Sequence, residues 1–262
     1  DRYMRKAEET RPSAAEEPPP PPRWPLLSGV FTFPWYLSTL APWMWISMGL
    51  IVTGLLLVFL WGPAAALGLL AVRLMGPPTC AAGVLSFSYA FACMLQVIEE
   101  TAHGWDAIDE WPEMNWKEWV WSDGRVIALI LEAGLVGLAL QLASGSDSWW
   151  LLVLGTFAAF PPVLLGALAA GEAWAPLAIG TVLRSVPTLW ASWALFYVEI
   201  TVLAAGWTFL TLVGLVNSPW LVPFYSGPML AALILIYGRL AGRLAGCIGE
   251  WMEAASGEEE AE

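Results

Sequence analysis

The sequence predicts an all-α, polytopic membrane protein with about six transmembrane helices. Of its 262 residues, 58% are hydrophobic and 13% are charged, which is about half the charged fraction of an ordinary soluble domain. Six apolar stretches are long enough to cross a hydrocarbon core of about 30 Å as helices. Most of the 18 tryptophans lie near the ends of these stretches or in their connections, and tryptophan is typical of the membrane–water interface.

Residues 1–25 precede the first apolar stretch and predict a disordered, Pro-rich linker. Residues 18–22 are all proline, which favours an extended spacer. The membrane domain is predicted over residues 26–249, and the six acids of residues 250–262 predict a disordered acidic tail. Because the chain starts at Asp1 without a methionine, we expect it to be the membrane part of a longer polypeptide.

The predicted spans are almost unbroken apolar runs, each of a length that suits a membrane helix. The third is short, and the fifth is long enough to tilt in the bilayer. In chain order the six spans are residues 43–61, 80–98, 126–142, 149–170, 189–216 and 221–244.

The distribution of lysine and arginine predicts that both termini lie in the cytoplasm of a bacterial cell. With six spans and this orientation, Arg73 is the one basic residue on the outer side, which satisfies the positive-inside rule. The basic residues predicted on the cytoplasmic side are Arg2, Arg5, Lys6, Arg11, Arg23, Lys117, Arg125, Arg184, Arg239 and Arg243.

The longest connection, residues 99–123, is predicted to be an acidic, Trp-rich loop. It contains eight acids and five tryptophans. Glu99, Glu100 and His103 could contribute to a weak metal site, because the Glu-x-x-His spacing places two ligands on one helix face. A solvated loop whose tryptophans lie in the interface explains the same composition without a metal, and this is the interpretation we favour.

This loop also carries a resemblance to a known group of proteins. Its residues read Glu99-Glu100-Thr101-Ala102, then Gly104 and Asp106, then Asp109-Glu110-Trp111-Pro112. The stretch resembles an acidic E-E-T-A-x-G-x-D...D-E-W-P loop of uncharacterised bacterial polytopic membrane proteins of planctomycete type, which often follows a zinc ribbon and a Pro-rich linker. Trp35-Tyr36 and Pro42-Trp43 look similar too, whereas His103 and Trp105 depart from the pattern. The resemblance implies a membrane fold and no particular activity.

Two carboxylates, Glu132 and Glu199, stand alone inside predicted spans. Charged groups are costly there, so each is expected to face the interior of the bundle. Thr188, Ser192 and Glu199 recur at near-helical spacing, and with Glu132 they form a candidate proton or cation path. Hydrogen bonding between helices is the alternative role, and we favour it for the hydroxyl groups.

The end of the sixth span repeats glycine every four residues, at Gly238, Gly242 and Gly246. Such a strip predicts close helix packing, either inside the bundle or between copies in a homo-oligomer, and internal packing is our default. Arg239 and Arg243 are expected to reach lipid phosphates or the acids of the long loop.

The composition argues against several function classes. The formal net charge is −12, which disfavours nucleic acid as a partner. A single histidine and the absence of a Gly-rich phosphate loop, GxSxG or HExxH motif make an enzyme the least supported class, with no cofactor predicted. We therefore expect a non-enzymatic module that anchors or scaffolds membrane-complex partners in the bilayer. The alternative is a secondary transporter or channel that uses the intramembrane carboxylates.

Overall fold

The computed structural model describes residues 26, 29–62, 69–105, 108, 110–113, 115–145, 148–169 and 179–259. Within these ranges the chain contains helices and no strand. A short 3-10 turn, Phe33–Trp35, leads into seven α-helices: α1 (Leu37–Trp61), α2 (Leu69–Ala102), α3 (Trp116–Ser144), α4 (Trp149–Ala169), α5 (Ile179–Thr188), α6 (Trp190–Asn217) and α7 (Val222–Glu259).

Six of the helices are long and apolar enough to cross a membrane, which confirms the predicted fold class. The candidate spans are Leu37–Trp61, Val72–Ala102, Gly124–Ser144, Trp149–Ala169, Trp190–Asn217 and Val222–Ala254. Large apolar side chains such as Leu135 and Val202 are about two-thirds exposed on their outer faces. An exposed surface of this kind suits lipid and not water, so the chain is an integral, multi-pass membrane protein.

Helix α7 is the centre of the bundle. In its most apolar stretch 72% of the residues are buried, compared with 11% in α6. Helix α7 packs against α1, α2 and α6, and touches α4 and α5. Contacts between Gly238 and Met94, and between Gly242 and Ile98, show that α2 runs parallel to α7. The core of the protein therefore lies around α7.

The other helices are arranged around this core. Helices α3 and α4 form a closely packed antiparallel hairpin, which meets the rest of the bundle through α2 and through the second half of α4. Helix α6 lies at the edge, against α7, and the short helix α5 connects α4 to α6. The sequence did not predict α5 as a separate helix, because its ten residues are too few to cross a membrane.

The connection between α2 and α3 is shorter than predicted. Helix α2 continues through Glu99 and Glu100 to Ala102, and Gly104 has a φ of 85°, a conformation that favours glycine and commonly ends a helix. Helix α3 begins at Trp116, directly after Asn115, a residue type preferred before the first turn. The connection is therefore residues 103–115 and not residues 99–123. Asp106 and Asp109 lie outside the described residues.

The two predicted disordered ends have different outcomes. Residues 1–25 lie outside the described residues. Helix α7 continues to Glu259, so residues 250–259, predicted to be disordered, have a helical backbone. Alanine, glutamate and methionine favour helix, and this stretch extends a helix that is already nucleated, which removes the main cost of forming it.

Candidate functional site

A buried arginine lies where α7 approaches the C-terminal end of α2. Arg239 is 1% exposed. Its Nη1 donates hydrogen bonds to the Thr101 hydroxyl at 3.1 Å and to the Trp105 carbonyl oxygen at 3.0 Å. Its guanidinium carbon lies 4.8 Å from the centre of the Phe33 ring, within the range of a cation–π contact. One side chain thus joins α7, the α2–α3 connection and the segment before α1.

The segment before α1 is built into the core at the same end of the bundle. Leu26, Val30 and Phe33 are all buried. Gly29 has a φ of 72° and lies close to the Tyr36 hydroxyl, so a side chain at this position would be strained and crowded. Arg243 lies one turn after Arg239, is 8% exposed, and faces this turn. We call Arg239, Thr101, Trp105 and Phe33 the arginine clamp.

The arginine clamp corrects the expected position of Arg239. Arg239 does not extend to the lipid phosphates, because it is buried and bonded to a hydroxyl and a carbonyl oxygen. Two physical effects favour this position: the glycine strip lets α7 approach α2 closely, and the C-terminal end of a helix attracts a cation.

The candidate metal residues do not form a ligand set in the described part of the chain. Glu99 is exposed, Glu100 accepts a hydrogen bond from Gln96 at 3.1 Å, and the His103 Nδ1 lies 2.8 Å from the Glu99 carbonyl oxygen. No group of three histidine, cysteine, aspartate or glutamate side chains there could hold a metal ion.

The two intramembrane carboxylates lie apart. Glu132 is half-buried on α3, whose contacts among the described helices are with α2 and α4. Glu199 is 7% exposed on α6, which contacts α5 and α7. Of the other two members of the predicted path, Thr188 is exposed at the end of α5 and Ser192 is half-buried on α6, about two turns before Glu199. The structure therefore places Glu132 apart from the other three residues of the predicted path.

Glu199 lies in the seam between α6 and α7. Phe196, one turn earlier, packs its ring 5.8 Å from the ring of Tyr237, and Trp207, two turns later, donates a hydrogen bond to the Ser226 hydroxyl at 3.0 Å. Glu199 shares this face of α6. Neither of its carboxylate oxygens has a hydrogen-bond partner in the described structure. A carboxyl group so placed is costly and is typical of a functional or strained position.

The same seam contains polar side chains that the sequence analysis did not single out. Ser226 is shared by Trp207 and by the Thr211 hydroxyl, which lies 3.1 Å away. At the opposite end of α6, the Trp193 ring nitrogen donates to the Ser185 hydroxyl at 3.2 Å. These residues are scattered in three helices, α5, α6 and α7, and only the packing of α6 on its two neighbours could have indicated their proximity.

The glycine strip lies inside the bundle. A methyl group on Gly238 would lie 3.0 Å from the Met94 carbonyl oxygen, and one on Gly242 would lie 2.7 Å from the Ile98 carbonyl oxygen. Gly246 is less crowded, with 3.3 Å to the Ala102 carbonyl oxygen. The strip therefore serves the close approach of α7 to α2.

No known protein family, curated protein or solved structure matches this chain. The resemblance of residues 99–112 to planctomycete-type membrane proteins stays a prediction.

Proposed function

We propose that the chain is a non-enzymatic membrane module that anchors or scaffolds membrane-complex partners at the segment preceding its first span. The arginine clamp carries this proposal. A buried guanidinium is expensive in a membrane protein unless it is bonded. Here Nη1 of Arg239 donates two hydrogen bonds, and the guanidinium lies against the Phe33 ring, which attaches the segment before α1 to the bundle. Leu26, Val30 and Phe33 reinforce that attachment by burial. The location we propose is a bacterial cell membrane, with both termini in the cytoplasm.

The placement of the carboxylates also favours anchoring over transport. A path for protons or cations would need Glu132 and Glu199 close to one another, or joined by polar groups. They lie on helices that do not contact each other in the described structure. The surface between α7 and α2 is closed by glycines packed on backbone atoms.

Photo-crosslinking in native membranes tests the anchoring proposal. A photoreactive amino acid replaces Phe31, which is 44% exposed beside the clamp, and in a matched control it replaces Phe209, which is 66% exposed on α6. Anchoring predicts a discrete protein adduct at position 31 and only lipid adducts at position 209. It also predicts that vesicles containing the purified chain hold a pH, Na⁺ or K⁺ gradient as well as protein-free vesicles. The absence of a protein adduct at position 31, or a gradient lost faster, refutes it.

A second candidate function is transport of protons or cations, and the unpartnered Glu199 favours it. Its burial without a hydrogen-bond partner is what a carboxyl group that exchanges a proton or cation would need. The polar residues of the α6–α7 seam would extend the path from Glu199 towards Ser226 and Thr211.

The gradient assay separates this function from anchoring. If the chain transports protons, wild-type vesicles dissipate a pH gradient and Glu199→Gln abolishes the effect. Glu132→Gln is the matched control and leaves the rate unchanged, because Glu132 lies on a helix away from the seam. Equal rates for wild type and Glu199→Gln, or a wild type no faster than protein-free vesicles, remove Glu199 from any such mechanism.

A further inference from the structure

A cavity of about 520 Å³ separates the α3–α4 hairpin from the centre of the bundle. Its walls come from four membrane spans: α2, α3, α4 and α7. Its apolar lining includes Phe91, Met94, Ile130, Phe157, Phe160 and Leu233. Protein interiors contain few voids larger than a water molecule, so an unfilled space of this size would leave many apolar side chains without packing partners.

The wall of the cavity consists almost entirely of apolar side-chain atoms. Its two polar side chains are Thr156 and Tyr237. The Thr156 hydroxyl donates to the carbonyl oxygen of Leu152 in its own helix at 2.7 Å. The Tyr237 hydroxyl has no hydrogen-bond partner in the described structure, and its oxygen has almost no accessible surface to offer an occupant. A water molecule needs two to four polar partners in a buried site. The chemistry of the wall therefore favours an apolar occupant.

The cavity is continuous with the lipid-facing surface. Ile130 and Val153 on its wall are 40% and 44% exposed. The residues next to them, Leu131 and Leu154, are 65% and 60% exposed and belong to the outer apolar surface of the hairpin. An acyl chain can therefore enter sideways from the bilayer without passing a polar barrier.

The hairpin is joined to the bundle on both sides of this cavity. On one side the Tyr89 ring of α2 lies 4.7 Å from the Trp119 ring of α3. On the other side the Phe160 ring of α4 lies 6.0 Å from the Tyr237 ring of α7. Between these contacts the cavity leaves a gap between the hairpin and the centre of the bundle, so an occupant would supply contacts across it.

We propose that one acyl chain of a membrane phospholipid occupies this cavity and joins the α3–α4 hairpin to α2 and α7. This site is independent of the arginine clamp and of Glu199. It differs from the general lipid shell in being saturable, because the walls contributed by four helices leave room for a single chain.

Photolabelling with a phospholipid that carries a diazirine in the middle of its acyl chain tests the site directly. Val153 lines the cavity and is 44% exposed, and Val213 on α6 is 43% exposed on the outer surface, so the two have matched access to lipid. The proposal expects labelling at Val153 to saturate and to be displaced by unlabelled phospholipid. Labelling at Val213 should rise in proportion to the concentration of the probe. Proportional labelling at both positions overturns the proposal.

A pair of matched variants tests retention of the lipid. Native mass spectrometry of wild type, purified in mild detergent, should find one phospholipid per chain. Leu233→Trp fills the cavity and should reduce retention about tenfold, the effect of losing about two buried methylene contacts. Leu154→Trp makes the same change on the outer surface and should retain the lipid like wild type. Equal retention in the two variants, or an isoprenoid or detergent molecule in place of phospholipid, refutes the assignment. If Leu233→Trp does not fold, the photolabelling experiment alone tests the proposal.

Discussion

Replacing Gly242 by alanine should loosen the packing of α7 on α2. The added methyl group would lie 2.7 Å from the Ile98 carbonyl oxygen and 2.7 Å from the Thr101 Cβ. The carbonyl oxygen belongs to the backbone of α2 and cannot rotate away, so the two helices must separate. Forced insertion of this kind costs about 1–3 kcal/mol.

Helix propensity opposes this penalty and must be subtracted. Alanine favours a helix over glycine by about 1 kcal/mol, so the net loss of stability for Gly242→Ala is about 1 kcal/mol. Gly249→Ala is the matched control, because no atom lies within 4 Å of a methyl group placed there. It keeps the propensity gain without the clash and should be more stable than wild type by up to about 1 kcal/mol.

Thermal unfolding of the purified chain in nanodiscs, followed by circular dichroism at one fixed heating rate, measures the difference. The two variants should differ by about 2 kcal/mol, which for a chain of this size is about 4–8 °C in Tm. Gly238→Ala and Gly246→Ala should lie between them in that order, since their closest backbone oxygens are 3.0 Å and 3.3 Å away. If Gly242→Ala unfolds at the temperature of Gly249→Ala, the strip does not pack on α2.

Two further stability predictions use the same measurement. Arg239→Met should lower the free energy of unfolding by about 2–4 kcal/mol, because two hydrogen bonds from a charged donor disappear. Thr101→Val should lower it by only about 1–2 kcal/mol, because the bond from Arg239 to Trp105 remains. Similar losses in both variants would mean that Arg239 acts through Thr101 alone. Ser226→Ala should cost about 0.6 kcal/mol, a typical value for a hydrogen bond inside a membrane bundle, since Trp207 still reaches the Ser226 carbonyl oxygen at 3.2 Å. A loss several times larger would show that the seam depends on this hydroxyl.

Hydropathy predicted the spans well because the bilayer acts on each helix separately. A helix such as α1 or α6 satisfies its own backbone hydrogen bonds and needs only sufficient apolar length. The sequence predicts the end of α2 too early because Glu99 and Glu100 are charged, and charged residues beside an apolar run are typical of a loop. Glutamate is a good helix former at the membrane surface, and Gly104 is the residue that ends the helix.

The candidate sites were harder to predict because they depend on which helices are neighbours. Glu132 and Glu199 were paired by their chemistry, and the sequence contains no information that α3 and α6 lie apart. The burial of Arg239 is similar: its partners, Thr101 and Trp105, lie more than a hundred residues away in the sequence. The contacts that define these sites are set by tertiary packing.

The glycine strip of α7 and Arg239 act together. Gly238 and Gly242 are each followed directly by an arginine, so the glycine and the arginine of each pair point about 100° apart around the helix. Gly242 and Gly238 let the backbone of α7 approach α2 closely, and this brings Arg239 within reach of Thr101. There the guanidinium lies near the C-terminal end of α2, where unpaired carbonyl groups favour a positive charge. A larger residue in the strip would therefore weaken the helix packing and the arginine clamp together. Because the clamp holds the segment before α1, the glycines next to the arginines also contribute to the attachment of that segment.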